Sequence, residues 1–332
     1  MKASWTKISQ SEPLQRSSHN IAAAGGNLYI FGGELKPRQP RDNVMYTIQL
    51  DGNDQPVNLV NTSNEATPTP RVGSAVATIG SKLYFFSGRG GEAMTPIDEK
   101  GALWAYDSSG QVWELISPSS NHVPQPRSYH ATTSDGNETI YIHAGCPEKG
   151  RLPDLWSFNI NSKEWKELAA APDPARGGPS IAFASGKLYR MNGFDGNTEQ
   201  GGTIDVYDPK ANEWSSVKFA ADGKEGPGAR SVAVLLPVSI EDRKHLVTLF
   251  GESDPSSLGH QGAGKMLSDV WAYDIESGKW AQVETTSGGE DPAPRGWFDA
   301  DTATIAGKPS IVVAGGLGET NERLDDVWLL NF

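Results

Sequence analysis

Six times along the chain a short apolar run ends in glycine: Leu28-Tyr-Ile-Phe-Gly-Gly33, Leu83-Tyr-Phe-Phe-Ser-Gly88, Ile140-Tyr-Ile-His-Ala-Gly145, Leu188-Tyr-Arg-Met-Asn-Gly193, Leu246-Val-Thr-Leu-Phe-Gly251 and Ile311-Val-Val-Ala-Gly-Gly316. Runs rich in β-branched and aromatic residues and closed by Gly are strands. Self-similarity of this kind is the mark of a repeat architecture and overrides a count of domains by length. A second element follows each run, as in Leu103-Trp-Ala-Tyr-Asp107 and Val270-Trp-Ala-Tyr-Asp274. A third brings a tryptophan nine residues on: Trp104 to Trp113, Trp156 to Trp165, Asp205 to Trp214 and Trp271 to Trp280. A constant offset predicts one hairpin built repeatedly across a short turn.

The offset from Trp328 points past Phe332, where the chain stops. Ser4-Trp-Thr-Lys-Ile8 meanwhile stands at the N terminus as a third element with nothing before it. A ring satisfies both, with the N-terminal strand completing the last unit and removing an open sheet edge. Ahead of each unit lies an arginine (Arg16, Arg71, Arg127, Arg176, Arg230, Arg295) that opens an innermost strand. Four strands per unit and six units make an all-β, six-bladed β-propeller spanning residues 1–332 as one domain. Arginine before a small-residue strand, Tyr-Ile-Phe-Gly-Gly, Asp-Val-Trp and a closing Trp together resemble the kelch repeat.

Composition narrows the function classes. A net charge of −12 without a long run of one sign argues against a nucleic-acid-binding face. Cys146, the single cysteine, allows no internal disulfide and suits a reducing compartment. The first residues carry no signal-peptide core and no run reaches the ~20 apolar residues of a spanning helix. The expectation is a cytoplasmic protein with no membrane association.

Loops between first and second strands are tight, whereas those between second and third (residues 34–42, 89–100, 146–153, 194–202, 252–268 and 317–324) are long. A rigid scaffold gathering variable loops at one mouth is where a site belongs. The repeat arginines lie at that mouth. They either bond loop carbonyls as structural parts or form a positive collar that favours an anionic small molecule. The loop 252–268 is polar and glycine-rich, and contains Glu252, Asp254 and His260. Those residues are turn caps and an exposed imidazole on one reading. On the other they hold a divalent cation such as Fe²⁺ or Mn²⁺ with positions left open for substrate.

Phe250-Gly-Glu followed by Pro255 and His260-Gln-Gly-Ala-Gly264 is similar to the corresponding loop of the specifier proteins of glucosinolate breakdown, a kelch subfamily of nitrile-specifier, epithiospecifier and thiocyanate-forming proteins. Gly150-Arg-Leu-Pro-Asp-Leu-Trp156, Asn192-Gly-Phe-Asp-Gly196 and Ala293-Pro-Arg-Gly-Trp-Phe298 agree with it. The resemblance implies an Fe²⁺-dependent lyase or isomerase that directs an anionic, sulfur-containing glucosinolate aglycone towards nitrile-type products. It implies metal ligands at Glu252 and His260, with Ser256 at the family's middle ligand position and Asp254 nearby. It also implies that Arg89 and Arg151 face a sulfate group and that Trp297 walls the channel. No catalytic residue is assigned. The competing expectation is a non-catalytic propeller that binds a protein partner. A copper-radical oxidase on the same fold needs a Cys–Tyr crosslink with paired histidines, which nothing around Cys146 supplies.

Overall fold

The computed structural model describes residues 1–62, 66–259 and 262–332. They form the expected six-bladed propeller, each blade an antiparallel sheet running outwards from the axis. The inner strands are Ser17–Ala24, Ala75–Ile79, Ala131–Ser134, Ser180–Ala184, Val234–Ile240 and Asp299–Ile305. In each blade the second strand is buried on both faces, because neighbouring blades cover it. That is why these runs are continuously apolar instead of alternating. Outer strands do alternate: in Glu164–Leu168, Trp165 is buried between exposed Glu164 and Lys166.

The nine-residue offset places each outer tryptophan opposite a residue of the third strand: Tyr106↔Trp113, Phe158↔Trp165, Tyr207↔Trp214 and Tyr273↔Trp280. From there the indole packs on the preceding blade. Trp113 lies 5.1 Å from Phe31, Trp165 5.5 Å from Phe86, and Trp280 5.4 Å from Phe219. Blade 6 takes its outer strand from the N terminus, as the sequence predicts. Lys2–Gln10 pairs antiparallel with Asp326–Asn331, Trp5 stands opposite Leu330, and its ring stacks 5.6 Å from Phe250 of blade 5. The structure adds one strand that sequence reasoning lacked. Glu284–Ser287, on the way from blade 5 to blade 6, runs parallel along the outer edge of Lys2–Gln10.

The glycine that closes each run is explained by a close approach. There φ is +85° to +108°, and a Cβ would lie 2.6–3.0 Å from a side chain at or just before an inner strand, such as His19 against Gly33 or His130 against Gly145. The N–H freed at that bend donates to the carbonyl of the next blade's repeat arginine: Gly33 to Arg71, Gly88 to Arg127, Gly145 to Arg176, Gly193 to Arg230, Gly251 to Arg295, and Gly316 back to Arg16, at 2.8–3.0 Å. Six such bonds close the circle.

Candidate functional site

The repeat arginines are structural. Their guanidinium groups are buried, and each donates to the carbonyl before its own blade's closing glycine, as Arg295 does to Gly315 at 2.9 Å. Five also engage a carboxylate: Asp42, Glu99, Asp154, Asp269 and Asp326. The repeat tryptophan shares that carboxylate in four blades. In blade 4, Thr203 stands where the carboxylate is expected and Asp205 where the tryptophan is, so Arg190 pairs with Asp205 at 2.6 Å instead. A positive collar at the mouth is thereby corrected: all six guanidinium groups are buried, five paired with a carboxylate and Arg176 bonded to the Pro174 and Asn192 carbonyls.

What faces the mouth is set by two tiers of equivalent positions. The residue after each closing glycine (Glu34, Arg89, Cys146, Phe194, Glu252, Leu317) bridges to the residue after each repeat arginine. One residue further along, Ser18, Gly73, Tyr129, Gly178, Val232 and Trp297 form a hydrogen-bonded ring about the axis. Each N–H donates to the carbonyl of the preceding blade at 2.7–3.2 Å, with Ser18 donating to Trp297 to complete the ring. All six have φ between +47° and +59°. For a β-branched or bulky residue such as Val232 or Trp297 that is an outlier, costing about 1–2 kcal/mol each, and the closed ring imposes it.

A cavity of about 300 Å³ opens between the loops of blades 3, 4 and 5. Arg151, Glu252 and Trp297 all line it, so three residues singled out from sequence come together. The Arg151 guanidinium lies over the Phe194 ring at 5.0 Å, and its buried Nε has no hydrogen-bond acceptor among the described residues. Gly196 lets it pass, because a Cβ there would sit 2.8 Å from Nη1. Glu252 is buried at the base of a hairpin formed by Glu252–Ser253 and Lys265–Met266. Its Oε1 accepts the Gly264 N–H at 2.7 Å. Burial pushes its carboxyl up, against the opposing effect of Gly264 and of the Trp297 indole that donates to it.

Arg89 is engaged elsewhere and does not line the cavity. It donates to Ser128 Oγ at 3.1 Å, to the Met94 carbonyl at 3.1 Å and to the Pro147 carbonyl at 3.0 Å, tying the loops of blades 2 and 3 together. Asp254 is exposed beside the hairpin, with φ of +50°. His260 lies outside the described residues. Among the described residues no three potential metal ligands gather.

Four cavity residues went unnoticed in the sequence. Cys146 and Phe194 occupy the same repeat position as Glu252, and Tyr129 the same position as Trp297, so aligning the repeats on their glycines and arginines would have found them. Glu199 has no such signal. It reaches the cavity through the bridge Phe194↔Glu199 and accepts from Ser231 Oγ at 3.2 Å. Burial raises its carboxyl, and the nearby charges of Glu252 and Asp254 add to the rise. Burial also raises the Cys146 thiol, with Arg151 and Arg89 pulling the other way.

N-(sulfonatooxy)prop-2-enimidothioate sulfolyase of Thlaspi arvense is 29% identical over 99% of this chain and 97% of its own length. A leucine-zipper-like transcriptional regulator 1 homolog of Drosophila melanogaster is 21% identical over 99% of this chain, which spans 32% of that longer protein. Adagio-like protein 3 of rice is 28% identical over 71% of this chain and 38% of its length. Residues 18–251 match the KLHDC2/KLHL20/DRC7 Kelch-repeats domain. With that match over most of its length and six blades closed by the N-terminal strand, the chain belongs to the kelch-repeat β-propeller family.

Proposed function

We propose that the mouth cavity binds a small sulfonatooxy-imidothioate anion and promotes its breakdown with loss of sulfate, as a specifier-type lyase. The observation that carries this reading is Arg151: a guanidinium held on Phe194 in a cavity wall, with a buried N–H that nothing among the described residues accepts. A buried donor without an acceptor is costly, and a ligand sulfate oxygen removes the cost through a charge-assisted, fork-shaped contact. Full-length similarity to a sulfolyase supports the same chemistry.

The reaction is a fragmentation. The N–O bond breaks and its electron pair leaves with sulfate. The C–S bond is lost as the nitrile forms, and sulfur departs as a neutral atom. Two negative charges stand on each side. Arg151 stabilises the charge that grows on the departing sulfate, and the aromatic walls of Phe194, Tyr129 and Trp297 exclude water. Glu252, fixed by Gly264 and Trp297, belongs to the same cavity wall. Arg89 acts indirectly by holding the loops on which Cys146 and Arg151 sit.

Fe²⁺ held by Glu252, Asp254 and His260 is the cofactor we propose, on the residue types of the loop. Of these, Glu252 is a buried carboxylate in the cavity wall, whereas Asp254 is exposed. An iron bound there supplies Lewis acidity and open coordination positions.

The test is product profiling with a glucosinolate and a thioglucosidase, alongside elemental analysis of protein purified without chelator. Nitrile in place of isothiocyanate is expected, with a loss of about 100-fold or more in Arg151→Ala. An unchanged isothiocyanate yield removes the lyase reading, and protein free of iron that still forms nitrile removes the cofactor. A non-catalytic propeller recruiting a protein partner is the second reading. It draws on longer relatives of which this chain spans about a third, and predicts a stoichiometric complex untouched by substitution of Arg151 and Glu252.

A further inference from the structure

Below the mouth cavity the axis opens into a second space of about 400 Å³ between the inner strands. Tyr129, Gly178, Val232 and Trp297 line both. They belong to the hydrogen-bonded ring, so the ring is the partition between two chambers. Its backbone closes the circumference. Tyr129 and Trp297 meet edge to face with centroids 5.2 Å apart. The Tyr129 ring lies over Gly73, where a Cβ would stand 2.8 Å from it. Trp297 is steadied by Glu252.

We propose that the Tyr129–Trp297 pair is the specificity-determining floor of the mouth cavity. With the anionic head of a ligand on Arg151, an apolar substituent points down the axis and ends on the two rings. The pair therefore sets the longest substituent the site accepts, and removing one ring joins the upper chamber to the lower. The inner strands bordering the partition offer Ala22, Ala75, Ala131 and Val234 to an aliphatic tail. This proposal rests on the anion reading of Arg151, but not on catalysis.

Linear alkyl sulfates of increasing length probe it by calorimetric titration, which needs neither turnover nor iron. Each methylene transferred from water to the apolar cavity raises affinity about fourfold. For the natural sequence the rise should stop once the tail reaches the rings. In Tyr129→Gly it should continue for several more methylenes, giving an octyl-to-butyl affinity ratio at least about tenfold higher. Glycine suits the site, since Gly73 and Gly178 hold equivalent positions. If that variant fails to fold, Tyr129→Ser serves, because Ser18 adopts the same backbone at φ +56°. Binding that needs Arg151 but shows the same ceiling in both proteins overturns the floor and leaves the anion site standing. No binding of any alkyl sulfate, or binding indifferent to Arg151→Ala, overturns the anion site and the floor with it.

Discussion

Asp299 and Asp301 show how single side chains seal the propeller where it closes. They stand on the inner strand of blade 6, and their Oδ2 atoms accept the N–H groups of Ile21 and Ala23 in blade 1 at 2.7 and 2.8 Å. Burial along the channel pushes their carboxyls up to about 7 and about 6. A folded-state pKa above the ordinary 3.8 means that the folded chain keeps its protons longer than the unfolded chain. Stability from these groups is therefore complete below about pH 4 and declines as pH rises towards 7. In Asp299→Asn with Asp301→Asn both acceptors survive and the titration does not. The double variant should match the natural sequence near pH 4 and exceed it in melting temperature at pH 8, by about 2–5 °C. A constant gap across that range would contradict the assignment. The repeat arginines offer a second test. In Arg295→Met, Asp326 keeps the Trp328 N–H but loses its cation, at a cost of about 3–5 kcal/mol by urea denaturation. Adding Asp326→Asn should recover part of that loss.

At the scale of strands, the N-terminal element is the one most exposed to experiment. Trp5 is buried between blades 5 and 6 and does for blade 6 what Trp113 and Trp165 do for theirs. Trp5→Ala should cost about 3–5 kcal/mol, measured as a lower urea midpoint with little change in slope. This element was legible in the sequence because one missing tryptophan and one surplus tryptophan answered each other. The partner strand Glu284–Ser287 was not legible, since Glu-Thr-Thr-Ser carries no apolar face and its pairing is made by backbone alone. The site divides the same way. Glu252 was visible as a residue type in a polar loop set against a repeat, whereas Arg151 and Trp297 were visible only through the resemblance to the specifier proteins. That Arg89 spends its donors on neighbouring loops while Arg151 keeps one without an acceptor among the described residues depends on loop paths such as the turn at Gly196, which spacing does not encode.

For the whole molecule, the two hydrogen-bonded circles mean that blades do not open independently. The N–H groups of Gly33, Gly88, Gly145, Gly193, Gly251 and Gly316, and those of the channel ring, should exchange only by global unfolding. Deleting residues 1–10 should give the fastest exchange at Gly316 and Ser18, which span the seam between blades 6 and 1, before any change at Gly145. Uniform acceleration around both circles would show instead that the seam is no weaker than the rest. Among the described residues no helix is long and apolar enough to cross a membrane.

The parallel strand Glu284–Ser287 gives the N terminus an order of events. Lys2–Gln10 is made before any of the six inner strands, yet it finds its two neighbours only in Glu284–Ser287 and Asp326–Asn331. Blades 1 to 5 hold all four of their own strands and can assemble as they emerge. Lys2–Gln10 must wait as an unpaired strand while those five blades are made, so the growing chain carries a sticky edge throughout that time, and protecting that edge falls to whatever binds new chains first.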